Sequence, residues 1–398
     1  MPRRSFQNGK ESVLGASLLA LLLAGTPAKG QDDDLAVDPA QVSLGLAQLS
    51  VGGRAGGALF DGNLGAQPYA TGAIKLMPRL HRDYDSGLSL GLAATLTASD
   101  PLSRGRYGGD VVEKFFGEAV TGLGRVEIGV TDGAGYDLAV TGPKVDAQVS
   151  LDDPQTSFFR DPDTNRAIID LFPLRTAVGA SSNYAKFTYV SPELFGLQLG
   201  FSFTPNQNRL AIPFLHEGPA MAGRQSDIWE SAIRYSDDVG PLTLTGYGGF
   251  AFGRGEHKLS FQEGVSDLGL GARADYAVND DLGVSLGGSH RRSNAYGFDI
   301  AQSERSGASD GLFTSAGATY DAWILGIEYG AGRADGEPAL PRLGLTAYQA
   351  SLGYVVNRNW EIGAGWQRLD YSRSEGAFFN ASPQLGMDTG FLHLSLHV

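Results

Sequence analysis

Apolar and polar residues alternate one by one along much of the chain, most clearly at its carboxyl end. Leu392, Leu394 and Leu396 are separated there by His393 and Ser395. Successive side chains of a β-strand point to opposite faces, so this period of two predicts a strand with one apolar and one polar face.

The same alternation recurs near residues 125–130, 197–203, 268–275, 323–330 and 348–356. After residue 30 no apolar run reaches the roughly 20 residues that a membrane helix needs. Aromatic residues near the predicted strand ends favour girdles at two membrane interfaces, which a soluble sandwich does not need. These aromatic residues are Trp229, Tyr235, Tyr276, Tyr329, Trp360 and Tyr371.

The predicted connections alternate between short and long, which is typical of an outer-membrane barrel. Seven short turns are predicted near residues 78–86, 121–122, 191–195, 236–240, 279–280, 320–321 and 357–359. Eight long connections are predicted near residues 51–67, 98–110, 132–182, 205–226, 253–266, 292–311, 333–343 and 372–386. Together they predict sixteen strands, with both chain ends on the short-turn side.

The predicted fold is therefore all-β, an up-and-down antiparallel transmembrane β-barrel of about 16 strands. At about 16 to 18 strands a barrel is too wide for its side chains to fill the interior. We expect a water-filled channel in the outer membrane for passive diffusion of ions and small hydrophilic solutes, and not an enzyme.

Composition supports this interpretation. The chain contains 56 glycines, 20 phenylalanines and 15 tyrosines, and only 19% of its residues are charged. It has no cysteine, which excludes disulfides, thiolate metal sites and thiol nucleophiles. The six histidines are scattered, and there is no nucleophile elbow of the G-x-S-x-G type.

Residues 1–30 have the features of a secretory signal peptide, with a basic start, an apolar stretch from Val13 to Ala24, and small residues before a cleavage point. An inner-membrane anchor is the alternative. We predict one domain, a barrel over residues 31–398. Removing residues 1–30 takes away four basic residues and one acidic residue and changes the formal net charge from −13 to −16. This balance disfavours nucleic acid as a partner and favours cations in the lumen.

Two segments resemble the general porins of Gram-negative bacteria, particularly those of α-proteobacteria. NYAKFTYVSPELFGLQLG at residues 183–200 is similar to their strand, Ser-Pro turn and strand, and GRVEIGVTDG at residues 124–133 is similar to the strand that leads into their third loop. The resemblance implies that residues 132–182 form a long third loop folded into the lumen. It also implies a homotrimer in contact with outer-membrane lipid. General porins usually end in an aromatic residue, whereas this chain ends in Val398.

On this resemblance, acidic residues of the loop face basic residues of the wall across the pore constriction, and the resulting field biases ion passage. The acidic candidates are Asp137, Asp146, Asp152, Asp153, Asp161, Asp163 and Asp170. The basic candidates are Lys75, Arg125, Lys186, Arg234 and Arg273. The alternative is that these groups are merely solvated.

No cofactor is required by this function. Asp161, Asp163 and Asn165 have the spacing of calcium ligands, but Arg166 and Phe172 replace the glycine and the acid of an EF-hand. Two interpretations stay open, a loop calcium site, as the resemblance implies, or an ordinary turn.

Two other functions also stay open: a substrate-specific outer-membrane channel, and a secreted or surface β-protein with a binding role. The second predicts no lipid-facing belt.

Overall fold

A computed structural model describes residues 39–62, 69–99, 112–145, 149–152, 174–181, 184–206, 225–255, 264–296, 307–335, 342–373 and 384–397. These residues form seventeen β-strands and one short helix, α1 (Ala134–Asp137). The strands are β1 (Ala40–Leu44), β2 (Ala47–Gly62), β3 (Tyr69–Asp83), β4 (Ser89–Ser99), β5 (Val112–Thr121), β6 (Gly124–Val130), β7 (Ala185–Val190), β8 (Leu197–Asn206), β9 (Gln225–Val239), β10 (Leu242–Gly255), β11 (Ser266–Ala277), β12 (Leu282–Tyr296), β13 (Gly307–Tyr320), β14 (Trp323–Asp335), β15 (Leu343–Asn357), β16 (Trp360–Arg373) and β17 (Gln384–His397).

The sheet closes into a barrel of sixteen antiparallel strands. Each strand from β2 to β17 pairs with the next strand in sequence, and β17 returns to pair with β2, from Thr389 opposite Gly62 to His397 opposite Arg54. The seventeenth strand, β1, forms a hairpin with the first part of β2, from Ala40 opposite Val51 to Leu44 opposite Ala47. The predicted strand number and the up-and-down topology are confirmed.

The boundaries differ most from the prediction at two connections. Residues 51–62, predicted to begin a long loop, belong to β2, and the turn predicted at residues 78–86 begins only after Asp83. The glycines of β2 weaken the hydrophobic alternation that marks a strand. Backbone pairing with β3 on one side and with β1 and β17 on the other nevertheless holds β2 extended.

The barrel strands have an apolar face and a polar face, as the alternation predicts. On β14, Trp323, Leu325 and Ile327 are exposed, whereas Glu328 on the opposite face is buried. On β17, Leu392 and Leu394 are exposed, whereas His393 and Ser395 are buried. Exposed leucine and isoleucine side chains in a belt around a barrel are what a lipid environment requires.

The polar face also carries an apolar cluster toward the long connections. It joins strands β2 and β13–β17 to residues 149–151 and 174, and its largest fully buried side chains include Phe60, Phe313 and Leu369. Tyr371 belongs to this cluster and is only 4% exposed, so its assignment to an interfacial girdle was wrong. Its position near a strand end did not reveal which face it occupies.

Candidate pore constriction

The longest connection between described strands joins β6 to β7. Its described residues, 131–145, 149–152 and 174–181, are called the third-loop segment below. The segment begins with α1, whose first backbone amide, at Ala134, donates to Ser202 Oγ at 2.6 Å. Gly200 leaves space for this contact, since a β-carbon there would lie 2.8 Å from that of Ala134 and 2.9 Å from Leu138 Cδ1. The start of the segment therefore rests on the polar face of β8.

Glu230 of β9 holds both ends of the third-loop segment. Its carboxylate accepts hydrogen bonds from the amide of Gly135 at 3.3 Å and from the amide of Ser181 at 3.0 Å. The side chain is only 1% exposed. Hydrogen bonds to a buried carboxylate are stronger than neutral ones, so Glu230 is a firm attachment point.

A second carboxylate, Glu328 of β14, holds the middle of the segment. It accepts hydrogen bonds from Ser150 Oγ at 2.9 Å and from the amide of Leu151 at 2.7 Å. Two strands further around the barrel, Gln367 of β16 donates to the carbonyl oxygen of Val149 at 2.7 Å. The segment is thus attached to the polar faces of strands that lie far apart around the barrel.

Charged groups cluster where the segment leaves β6. Lys114 of β5 pairs with Asp132, and Arg125 of β6 pairs with Asp137 at 3.0 Å and with Glu127 at 3.3 Å. The cluster joins two residues predicted at the constriction, Arg125 and Asp137, across the boundary between wall and loop.

The Asp137 carboxyl group ends α1 and lies outside the strands. Burial, and after it the neighbouring Asp132 carboxylate, raise its pKa to about 7 against the opposing effect of the Arg125 guanidinium. Asp137 therefore changes its charge close to neutral pH, which an ordinary aspartate does not do.

Asp152, predicted to face the pore, is buried within the segment. Its carboxylate accepts hydrogen bonds from Thr176 Oγ1 at 2.6 Å and from the Thr176 amide at 3.3 Å, and it pairs with Lys144 at 3.2 Å. It is only 3% exposed. The geometry gives Asp152 a role in tying two parts of the segment together.

The other basic candidates have separate surroundings. Lys75 pairs with Glu113 at 2.8 Å, and Arg273 pairs with Asp275 at 2.9 Å. Lys186 is only 4% exposed and donates to the carbonyl oxygen of Thr131 at 2.7 Å. Arg234 lies on β9, opposite Gln198 of β8. The predicted bases thus have no single row of loop acids opposite them within the described part of the chain.

The remaining acidic candidates lie outside the described residues, as do the calcium candidates and the predicted signal peptide. The acidic candidates outside the described residues are Asp146, Asp153, Asp161, Asp163 and Asp170, and the calcium candidates are Asp161, Asp163 and Asn165. The calcium site therefore stays a prediction. Where the structure describes the chain, it brings together no group of three His, Asp or Glu side chains suited to a metal ion.

The groups that attach the segment, above all Glu230 and Glu328, were not predicted from the sequence. Both occupy polar positions of alternating strands, so the face they line was predictable. Their partners were not predictable, because these lie 95 and 177 residues away at Gly135 and Leu151.

The fold and the site define a class of protein: a β-barrel that crosses the outer membrane, with an apolar belt around it and buried charges on the opposite face. No helix in the described ranges is long and apolar enough to span a membrane.

Comparison with known proteins narrows this class. Residues 19–381 match the family described as Gram-negative porin. Salmonella typhi OmpF, solved in complex with daunomycin, has a similar fold, with a TM-score of 0.57 and 11% identity over 90% of this chain and 100% of that one. The outer membrane channel DcaP of Acinetobacter baumannii has a TM-score of 0.56 and 11% identity over 89% of this chain and 99% of that one. A trimer form of Vibrio cholerae OmpT has a TM-score of 0.55 and 12% identity over 88% of this chain and 99% of that one. No protein with a curated description matches the sequence.

The chain belongs to the Gram-negative porin family, and it is a protein of the outer membrane. Its family and fold are those of a channel rather than of an enzyme.

Proposed function

We propose that the protein is a passive, water-filled channel for ions and small hydrophilic solutes, and that it prefers cations. One observation carries the proposal: sixteen strands close on themselves with charged side chains on one face and exposed apolar side chains on the other. A barrel of this size leaves an aqueous interior unless something fills it.

We further propose that the third-loop segment lies inside the barrel and narrows the channel. Its contacts support this position, because it touches Glu230 on β9, Glu328 on β14 and Gln367 on β16. These residues share the polar face. Contacts with the same face of strands so far apart around a closed barrel favour a path through the interior.

The open water path lies, on this proposal, beside strands β2–β5. There the polar face carries Lys75, Arg79, Glu113 and Glu118, and the side chain of Arg79 is 45% exposed. The ion pairs Lys75–Glu113 and Arg79–Glu118 leave this wall close to neutral. The cation preference therefore rests on the net charge of −13, or −16 without residues 1–30, and on the start of the segment. There the carboxylates of Glu127, Asp132 and Asp137 outnumber their ion-pair partners Lys114 and Arg125.

A homotrimer is proposed from the resemblance and from the trimer form of the OmpT structure. Cross-linking of the detergent-solubilised protein, followed by denaturing electrophoresis, tests it. A single band at the mass of one chain would contradict the proposal.

Recording in planar lipid bilayers tests the channel itself. We expect stepwise ohmic currents and a reversal potential in a salt gradient that shows cation preference at neutral pH. A correctly folded sample that gives no current would contradict the channel, and anion preference would contradict only the proposed selectivity. Saturation of the current by one solute would favour a substrate-specific channel.

A further inference from the structure

Part of the third-loop segment lies unusually close to the barrel wall, between Val140 and Val145. A β-carbon at Gly271 of β11 would collide with the carbonyl oxygen of Val140. A β-carbon at Gly287 of β12 would lie 2.9 Å from Gly142 Cα, nearer than side-chain carbons approach other atoms. The backbone of the segment thus occupies the space that side chains would take on these two strands.

The contact continues on the next three strands. A β-carbon at Gly317 of β13 would lie 3.3 Å from Pro143 Cβ. The side chain of Val145 lies between β14 and β15, with its Cγ2 2.5 Å from the β-carbon position of Gly326 and its Cγ1 3.0 Å from that of Gly353. One valine therefore occupies the space above two glycines on neighbouring strands.

The chain length fits this path. Val145 lies between β14 and β15, so the way from β11 along the wall covers about three and a half strand spacings of about 4.8 Å, or roughly 17 Å. The five steps from Val140 to Val145 reach about 17 Å when extended. The segment therefore runs almost fully extended across the strands.

We infer that Gly271, Gly287, Gly317, Gly326 and Gly353 are positioning residues that set the width of the channel. They let the stretch from Val140 to Val145 lie flat against β11–β15, and the passage beside β2–β5 stays open as a result. The inference rests on the proposed channel function. A side chain at Gly271, Gly287 or Gly326 pushes the segment off the wall, because β-carbon contacts below about 3 Å cannot persist and packed interiors deform little. At Gly317 and Gly353 the contacts of 3.3 Å and 3.0 Å require a smaller shift of the segment.

Hydrogen bonds from the wall to the third-loop segment determine the direction in which the segment can be displaced. Glu230 and Glu328 tie the segment at Gly135, Ser181 and Leu151, so it cannot leave the barrel without breaking buried hydrogen bonds. A push from β14 or β15 therefore moves the intervening stretch toward β2–β5.

Gly326→Ala is the primary test, with single-channel conductance in planar bilayers and exclusion of graded polyethylene glycols as readouts. We expect the conductance to fall about 1.5-fold or more, since conduction depends on pore radius, and smaller polymers to be excluded. Val145→Ala removes both Cγ atoms, so the double variant Gly326→Ala/Val145→Ala should return the conductance to the wild-type value. Gly246→Ala on β10 is the matched control, because a β-carbon there meets nothing within 4 Å.

The outcomes separate the two proposals. If the wild-type protein conducts and Gly326→Ala conducts equally, the positioning role is wrong and the channel stands. If folded wild-type protein does not conduct, the channel itself is wrong. A conductance that rises in Gly326→Ala, or one that Val145→Ala fails to restore, also overturns the inference.

Heat-modifiable electrophoretic mobility checks that each variant forms the barrel. Should Gly326→Ala fail to fold, Gly317→Ala gives the milder contact of 3.3 Å and the same expected direction. An unchanged conductance in folded Gly317→Ala would then decide against the inference.

Discussion

The guanidinium of Arg125 lies 3.0 Å from the carboxylate of Asp137, which joins the barrel wall to the start of the third-loop segment. The arginine is 36% exposed and the aspartate 17%, so water reaches the pair only in part. Asp132, Glu127 and Lys114 also act on Asp137, and burial together with Asp132 outweighs the arginine. The charge of the pair therefore depends on pH near neutrality.

The first prediction concerns pH and ion selectivity. Because the pKa of Asp137 is raised to about 7, its carboxyl group is negative above that pH and neutral below it. We expect the cation preference to fall as the pH is lowered through about 7. One charge near the ion path changes the free energy of a passing ion by about 1 kcal/mol, which corresponds to a change of up to roughly fivefold in the permeability ratio. Reversal potentials measured from pH 5 to pH 9 test this.

The Asp137→Asn variant supplies the control for that measurement. It should show weak cation preference at every pH and lose most of the change around pH 7. A full pH response in this variant would assign the titration to another group.

The second prediction concerns the attachment of the third-loop segment. Glu230→Gln replaces a carboxylate that accepts from the amides of Gly135 and Ser181 with an amide that has one oxygen. Losing a hydrogen bond to a buried charged group costs roughly 1 to 3 kcal/mol. We expect the segment to become sensitive to protease and the current to become noisier, while the barrel remains folded. The matched control is Glu193→Gln in the exposed turn between β7 and β8, which should change neither property.

The sequence predicted more of the barrel than of the constriction, for a physical reason. A period of two is local, so the two faces of β14 followed from Trp323, Leu325 and Ile327 alone. In β2 small residues replaced the apolar ones, and pairing with neighbours rather than local pattern determined the strand.

Pairing between charges depends on register, which the sequence does not state. Lys75 and Arg273 were placed on the polar face, but their partners Glu113 and Asp275 were not predicted. Lys75 meets Glu113 only because β3, β4 and β5 align with an irregularity between Thr95 and Leu96. The sequence therefore predicted an electric field across the pore. In the structure, the described bases of the wall mostly pair with nearby acids instead.

The third prediction concerns the lipid-facing belt. Ile327 is 58% exposed on the apolar face of β14, so Ile327→Arg places a charge against lipid. Such a charge costs about 2 to 4 kcal/mol near the middle of the bilayer. We expect a smaller folded fraction after insertion into lipid vesicles, measured by heat-modifiable mobility. Leu123→Arg, in the turn after β5 where the leucine is 80% exposed, should insert normally. Equal yields for the two variants would argue against a lipid belt at Ile327.

The fourth prediction concerns a buried ion pair on the polar face. Arg291 of β12 donates to both carboxylate oxygens of Asp267 of β11 at 2.7 Å, and both residues are nearly inaccessible. Asp267→Asn removes the carboxylate from this buried ion pair, and breaking a buried pair by removing one partner costs about 3 to 5 kcal/mol. The melting temperature of the detergent-solubilised protein should fall clearly. Arg292→Gln, next along β12 and exposed, should leave the melting temperature within error of the wild type.

The hairpin of β1 and β2 bears on how the barrel is assembled. β1 already occupies the edge of β2 at Ala47–Val51, so the carboxyl-terminal strand has only the edge from Arg54 to Gly62 left to pair with. An unpaired strand edge is the part of a sheet most prone to join a wrong chain. The amino-terminal hairpin thus covers the part of the β2 edge that the last strand does not reach, and it shortens the seam at which the barrel closes.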